Sequence, residues 1–226
     1  MRDRADIYFQ TLMNEPAKYI SDLEKKAHQE EVPIIRRATR DLLRYLLHVH
    51  KPENVLEVGT AIGYSALFMK ECLGENGKID TIEKVPARIK EAKENFRKFD
   101  TEDQITLYEG DATGVLKELV SRDKRYDFIF MDAAKGQYMN FLPDILTMMN
   151  PGAMLVSDNI LHNGDVLQSR YAVTRRDRTI HGRMREYLYL LTHHDELETI
   201  CLSLGDGVTI STKCSRNKGK VDKLDE

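Results

Sequence analysis

Hydrophobic positions change their period partway along the chain. Between residues 4 and 48 apolar side chains return at helical spacing, with Ile34, Ile35, Ala38, Leu42, Leu46 and Leu47 recurring before Lys51-Pro52 ends the pattern. From Val55 onward, short apolar runs predict strands at 55–59, 78–83, 105–110, 126–132 and 153–158, and helices between them at 64–73, 86–99, 112–121 and 138–149. That alternation predicts an α/β fold with a doubly wound, mostly parallel sheet whose ligands lie at the carboxyl ends of the strands. The last two runs, 197–204 and 208–213, are joined by Gly205-Asp206-Gly207. Three residues are too few for a helical crossover, so a hairpin and one antiparallel strand are expected. The reading is one domain: a helical cap over residues 1–50 at the ligand end of the sheet, a core over 51–213, and a charged, aperiodic tail over 214–226 that is expected to fray.

Composition narrows this only slightly. A chain of 226 residues with 41% hydrophobic side chains can bury one substantial core. The charged start, Met1-Arg2-Asp3-Arg4-Ala5-Asp6, has no apolar leader, and no run approaches the ~20 residues a membrane span needs. A cytoplasmic protein is expected. Cys72, Cys201 and Cys214 are odd in number and lack metal or disulfide spacing, so they are read as reduced thiols.

Candidate chemistry gathers at predicted strand ends. In the stretch 55–69 a strand closes with Glu57-Val58-Gly59, a small-residue turn runs to Gly63, and Tyr64-Ser65 opens a helix. Glycines let the backbone pass close to a ligand, and helix-start N–H groups favour an electron-rich one, so a nucleotide-like cofactor is implied. The spacing E-x-G-x-x-x-G is not the dinucleotide fingerprint, which disfavours NAD. Glu83 ends the next strand where a ribose diol would be gripped, and Asp111 follows the third, either to accept an adenine amino group or simply to cap a helix. Asp132-Ala133-Ala134-Lys135 and Asp158-Asn159 then place three hard oxygen ligands and an amine at the same end of the sheet, the composition of a Mg²⁺ site. Alone, each carboxylate could merely close a strand. His162, His181, His193 and His194 lack the spacing of a metal pair or triad, and His162 is the one placed to touch substrate.

Together these segments (E-V-G-T-A-I-G-Y-S-A, then Glu83, G-D-A, D-A-A-K-G-Q-Y and D-N-I-L-H-N-G) resemble the cation-dependent O-methyltransferases that include the catechol and caffeoyl-CoA enzymes, over roughly residues 32–213. Within that family the nearest likeness is to the bacterial branch that methylates 5-hydroxyuridine in tRNA, at the wobble position, to 5-methoxyuridine. Val32-Pro33-Ile34, GTAIGYSA, DAAKGQY and the final G-D-G carry it. The resemblance implies a class I, Rossmann-like methyltransferase fold with a seven-stranded sheet, the seventh strand inserted beside the sixth. It implies S-adenosylmethionine held by Ile35, Glu57, Gly59, Tyr64, Ser65, Glu83, Asp111, Ala112 and Asp132. Asp132, Asp158 and Asn159 would hold Mg²⁺ or Mn²⁺, Lys135 would take the acceptor's proton beside Asp132, and the protein would be a homodimer. The family tends to read D-N-x-L-W where this chain has His162, so an aromatic wall of the acceptor pocket is missing.

Charge distribution separates an RNA acceptor from a small phenol. The whole chain carries only −3, which does not advertise nucleic acid. Between residues 170 and 185, however, Arg170, Arg175, Arg176, Arg178, Arg183 and Arg185 face only Asp177, a net of +5 directly after the cation motif. Guanidinium groups there suit phosphates flanking a splayed nucleotide, with His162 nearby. Arg36, Arg40 and Arg44 form a second stripe at i, i+4, i+8, and either cluster could instead be a solvated helix face. The leading expectation is a tRNA methyltransferase. A methyltransferase of small catechol-like or phenolic metabolites is second, and a non-catalytic S-adenosylmethionine- or RNA-binding module is third, opposed by the intact Asp132, Lys135, Asp158 and Asn159.

Overall fold

The computed structural model describes residues 2–214, with side chains from Ile7 onward; the predicted fraying tail beyond Cys214 lies outside the described residues. Three helices, α1 (Arg2–Leu12), α2 (Lys18–Gln29) and α3 (Arg37–His50), precede the sheet. Then follow β1 (Asn54–Val58), α4 (Tyr64–Cys72), β2 (Lys78–Glu83), α5 (Pro86–Phe99), β3 (Ile105–Glu109), α6 (Ala112–Ser121), β4 (Tyr126–Met131), α7 (Tyr138–Met148), β5 (Met149–Asp158), α8 (Arg178–His193), β6 (Leu197–Leu202) and β7 (Val208–Lys213). No helix among the described residues is long and apolar enough to cross a membrane.

The seven strands lie in the order β3-β2-β1-β4-β5-β7-β6, with β7 antiparallel to both neighbours. β1 and β2 are buried on both faces after their first residue, as parallel strands sandwiched between helix layers must be. Period two sorts the side chains of β1 and β4: Leu56, Val58, Ile129 and Met131 join a core with α6, α7 and α8. Val55, Phe128 and Phe130 join one with α2, α3, α4 and α5 on the other face. Strand order reverses direction between β1 and β4, so the loops after these strands diverge and open a crevice.

Three expectations are corrected. Ile34 and Ile35 are not helical; they lie in a non-helical segment before α3, whose first turn starts only at Arg37. Apolar residues there face the crevice, and their spacing mimicked a helix. Residues 178–193, read first as phosphate-binding cations with a helix face as the alternative, form the longest helix among the described residues, because Met184, Tyr187 and Leu191 bury one stripe beneath the arginines. Arg40 is not part of a solvent-facing stripe. It is 2% exposed, its guanidinium pairing with Glu24 (3.3 Å) and Asp41 (3.1 Å), while Arg44 bonds the Asn14 carbonyl and lies over the Phe68 ring.

Candidate active site

The loop after β1 is built to touch the loop after β4. Gly59 has φ +98°, and a Cβ there would stand 2.3 Å from the Asp132 carbonyl oxygen, so only glycine lets the two strand ends approach this closely. The turn consumes its own N–H groups: Gly59 and Thr60 donate to Ile82 O, Gly63 to Thr60 O, and Ala61 to Glu83 Oε2. Attraction for an anion therefore falls to the first turn of α4 rather than to the loop. Glu83 is nearly buried and also accepts from Lys84 N and Val85 N, all three bonds at 2.9 Å. A carboxylate has about four acceptor positions, so one remains for a ligand.

Asp111 caps α6 by accepting from Thr113 N at 3.0 Å, and its other oxygen meets Lys84 Nζ at 3.2 Å. Those donors hold its carboxyl below the usual carboxylate range. Glu57 does not reach the crevice. It points into the opposite core under α4, fully buried, accepting from Thr81 Oγ1, and burial pushes it up to about 7 against the nearby hydroxyls of Ser65, Thr60 and Thr81. Its Oε1 is buried without a partner.

At the ends of β4 and β5 four polar groups converge. Lys135 Nζ bonds Asp132 Oδ1 at 2.8 Å and Tyr138 Oη at 2.9 Å. Tyr138, fully buried, lies within reach of the carbonyls of both Met131 (3.0 Å) and Asp158 (3.2 Å), tying the two strand ends together under the lysine. Asp158 Oδ1 accepts from Asn159 N (2.8 Å) and Thr39 Oγ1 (3.2 Å), whereas its Oδ2 is buried with no partner. Burial first, and the Asp132 charge second, push the Asp158 carboxyl up to about 6. Asn159 follows with φ +53°, a left-handed turn that asparagine tolerates and that redirects the chain at the strand end. An orphaned carboxylate oxygen, a second carboxylate close enough to repel it and an adjacent amide make an oxygen donor set that fits Mg²⁺ or Mn²⁺.

These groups border a cleft of about 440 Å³, a size suited to a small ligand. Of the residues expected at the cofactor, Ile35, Gly59, Tyr64, Ser65, Glu83, Asp111, Ala112 and Asp132 line it, and so do Lys135 and Asn159. Asp158 lies just behind the wall at 1% exposure, and Glu57 and His162 do not line it. His162, in a left-handed turn, faces Asp165 at 3.3 Å. Pro33, Lys84, Arg88 and Phe141 on the wall, and Thr39 and Tyr138 behind it, were given no role from the sequence. Two of these had a signal: Pro33 in Val32-Pro33-Ile34 and Tyr138 as the last residue of D-A-A-K-G-Q-Y. The basic run divides: Arg178, Arg183 and Arg185 bond the carbonyls of Val173, Gly136 and Val166, while Arg170, Arg175 and Arg176 are exposed and pair with no acid among the described residues.

A family model described as O-methyltransferase matches residues 11–214. A caffeoyl-CoA O-methyltransferase of Medicago sativa is 31% identical over 180 residues, spanning 78% of this chain and 72% of that protein. A catechol O-methyltransferase of Niastella koreensis is 32% identical over 126 residues, spanning 55% and 57%. The solved structure of a Staphylococcus aureus protein described as a caffeoyl-CoA O-methyltransferase is similar with TM-score 0.83 at 30% identity, covering 94% of this chain and 99% of that one. An O-methyltransferase from Bacillus cereus, solved with SAH, has TM-score 0.82 over 93% and 97% of the two chains, a likeness of fold at 19% identity.

Proposed function

Because this chain belongs to the O-methyltransferase family, we propose that it moves the methyl group of S-adenosylmethionine onto an acidic hydroxyl with the help of a divalent cation. The carrying observation is the convergence of Asp132, Lys135, Asp158 and Asn159 beside the cleft, with one buried carboxylate oxygen left without a partner. Glu83 would accept from the ribose and Asp111 would face the adenine amino group, while Ile35, Tyr64, Ser65 and Ala112, which line the cleft, would enclose the cofactor. The sulfonium of the cofactor supplies an electrophilic methyl group. Asp132, Asp158 and Asn159 would hold Mg²⁺ or Mn²⁺, which supplies Lewis acidity toward the acceptor hydroxyl. Lys135, fixed between Asp132 and Tyr138, would take the hydroxyl proton as the neutral amine, and the cleft wall would align acceptor and methyl donor.

Glu83→Ala removes a charge-assisted hydrogen bond to ribose, typically ~1.5–3 kcal/mol, so S-adenosylmethionine should bind roughly ten- to a hundredfold more weakly by calorimetry. An unchanged dissociation constant would leave Glu83 as a brace for the glycine loop and no more.

For the acceptor we favour 5-hydroxyuridine in tRNA. Arg170, Tyr171, Arg175 and Arg176 stand exposed on one segment just after the β5 cation residues, joining cations for phosphates to a ring on which a base could stack. A small catechol is the second reading. It is favoured by the likeness to the catechol and caffeoyl-CoA enzymes, and by the three arginines of the run that are spent on backbone carbonyls. Incubation with tRNA lacking the modification, in parallel with catechol, followed by mass spectrometry of both products, decides between them: methoxyuridine alone supports RNA, and a methylated catechol alone overturns it. A homodimer is also proposed. Exposed Ile7, Tyr8, Phe9 and Leu12 on α1, with Tyr45 and Val49 on α3, supply apolar surface for it, and light scattering of the intact protein would reveal a monomer if this is wrong.

A further inference from the structure

The hydroxyl of Thr39 leaves its own helix and reaches the end of β5. A threonine within a helix can bond back to the carbonyl four residues earlier, but for Thr39 that carbonyl belongs to Ile35, outside α3. Thr39, in the first turn of α3 and wholly buried, instead donates to Asp158 Oδ1 across 119 residues of sequence. The same oxygen takes the Asn159 N–H, so both local donors fall on one side of the carboxylate and Oδ2 is left without any. The far side of this segment is held too: Ile160 N donates to Gly207 O, Leu161 N to Asp206 O, and Asn163 N to Asp206 Oδ2. The Gly205 turn packs on the same threonine, where an added Cβ would lie 3.6 Å from Thr39 Oγ1. Backbone and hydroxyl thus fix the carboxylate from two directions.

We propose that Thr39 is a positioning residue of the cation site: its hydroxyl occupies Asp158 Oδ1 and thereby holds the carboxylate plane so that Oδ2 is presented to the divalent ion. The inference rests on reading Asp158 as a cation ligand. Outer partners of this kind set the orientation of a ligating group, and losing one typically costs roughly 10–100-fold in metal affinity. A threonine that merely fills space between α3 and β5 would have no such effect, because valine has nearly the same shape.

The test uses Mn²⁺ binding to the intact protein without cofactor or acceptor, followed by electron paramagnetic resonance of the free ion, for the parent, Thr39→Val, Thr39→Ser, Thr39→Ala and Asp158→Asn. Parent binding that is abolished in Asp158→Asn, weakened roughly 10–100-fold in Thr39→Val and kept within about threefold in Thr39→Ser is the expected pattern. Near-UV circular dichroism checks the fold, and Thr39→Ala takes the place of the valine variant if that one does not fold. Parent-like affinity in Thr39→Val, or equal losses in the serine and valine variants, overturns the role of the hydroxyl while leaving the cation site standing. Parent binding that is indifferent to Asp158→Asn overturns the cation reading and this inference with it.

Discussion

Asp158→Asn is expected to abolish methyl transfer while making the cation-free protein more stable. The two effects share one cause. Asp158 is buried beside Asp132, and its carboxyl is pushed up to about 6 from an ordinary value of 3.8. A folded-state pKa above the unfolded one means that the folded protein holds the extra proton, so stability declines as pH rises from about 4 through about 6 and stays reduced above it. At 1.36 kcal/mol per unit, the ionised form costs on the order of 3 kcal/mol in the absence of a cation. Asparagine removes that charge at nearly the same shape and can still accept from Thr39 and Asn159. The variant should therefore denature at higher urea than the parent at pH 7.5, and the difference should vanish near pH 4. Methyl transfer should fall by more than the roughly hundredfold that loss of an outer-shell partner costs. A variant that is both inactive and less stable would point to a structural role for this carboxylate, and an active one would remove it from the chemistry.

Gly59→Ala should be the most damaging single methyl group in the chain. Its Cβ would meet the Asp132 carbonyl oxygen at 2.3 Å and the carbonyl carbon at 3.1 Å, both backbone atoms with no rotamer to move into, at a φ of +98° that alanine resists. The ends of β1 and β4 must separate, and Asp132, which lines the cleft and holds Lys135, must move with them. Strain and overlap together place the expected loss on the order of 3–5 kcal/mol by chemical denaturation, with methyl transfer lost in any protein that still folds. Gly114 is the natural control, since nothing lies within 4 Å of a Cβ there and its substitution by alanine should be tolerated. Near-parental stability in Gly59→Ala would mean that the two loops are not locked together as described.

The parts of this fold that were legible in sequence are those governed by local period. The core helices 86–99 and 112–121 and the strands 78–83 and 208–213 were placed to the residue, since each pairs an unbroken pattern with a clear stop such as Pro86 or the Gly205-Asp206-Gly207 turn. The N-terminal region was harder because Ile34 and Ile35 are apolar for the sake of a cleft, not of a helix. Helix α8 was legible only as an alternative reading of its arginines, because its buried stripe of Met184, Tyr187 and Leu191 is sparse among the charges. Strand-end side chains facing the cleft were readable from motif order, but their supports were not. Thr39 reaches Asp158 across 119 positions, and Arg40 is neutralised by Glu24 on a different helix, so neither partner can be found by spacing along one element. Glu57 shows the converse: the motif that contains it was legible, but strand alternation turns its side chain to the opposite core.

The most direct measurement of the central claim is methyl transfer from labelled S-adenosylmethionine by protein stripped with a chelator, assayed with unmodified tRNA and with catechol, before and after Mg²⁺ or Mn²⁺ is restored. The account predicts no transfer to either acceptor in excess chelator, recovery with the cation in the parent, and no recovery in Asp158→Asn. Full transfer in the presence of the chelator would contradict it.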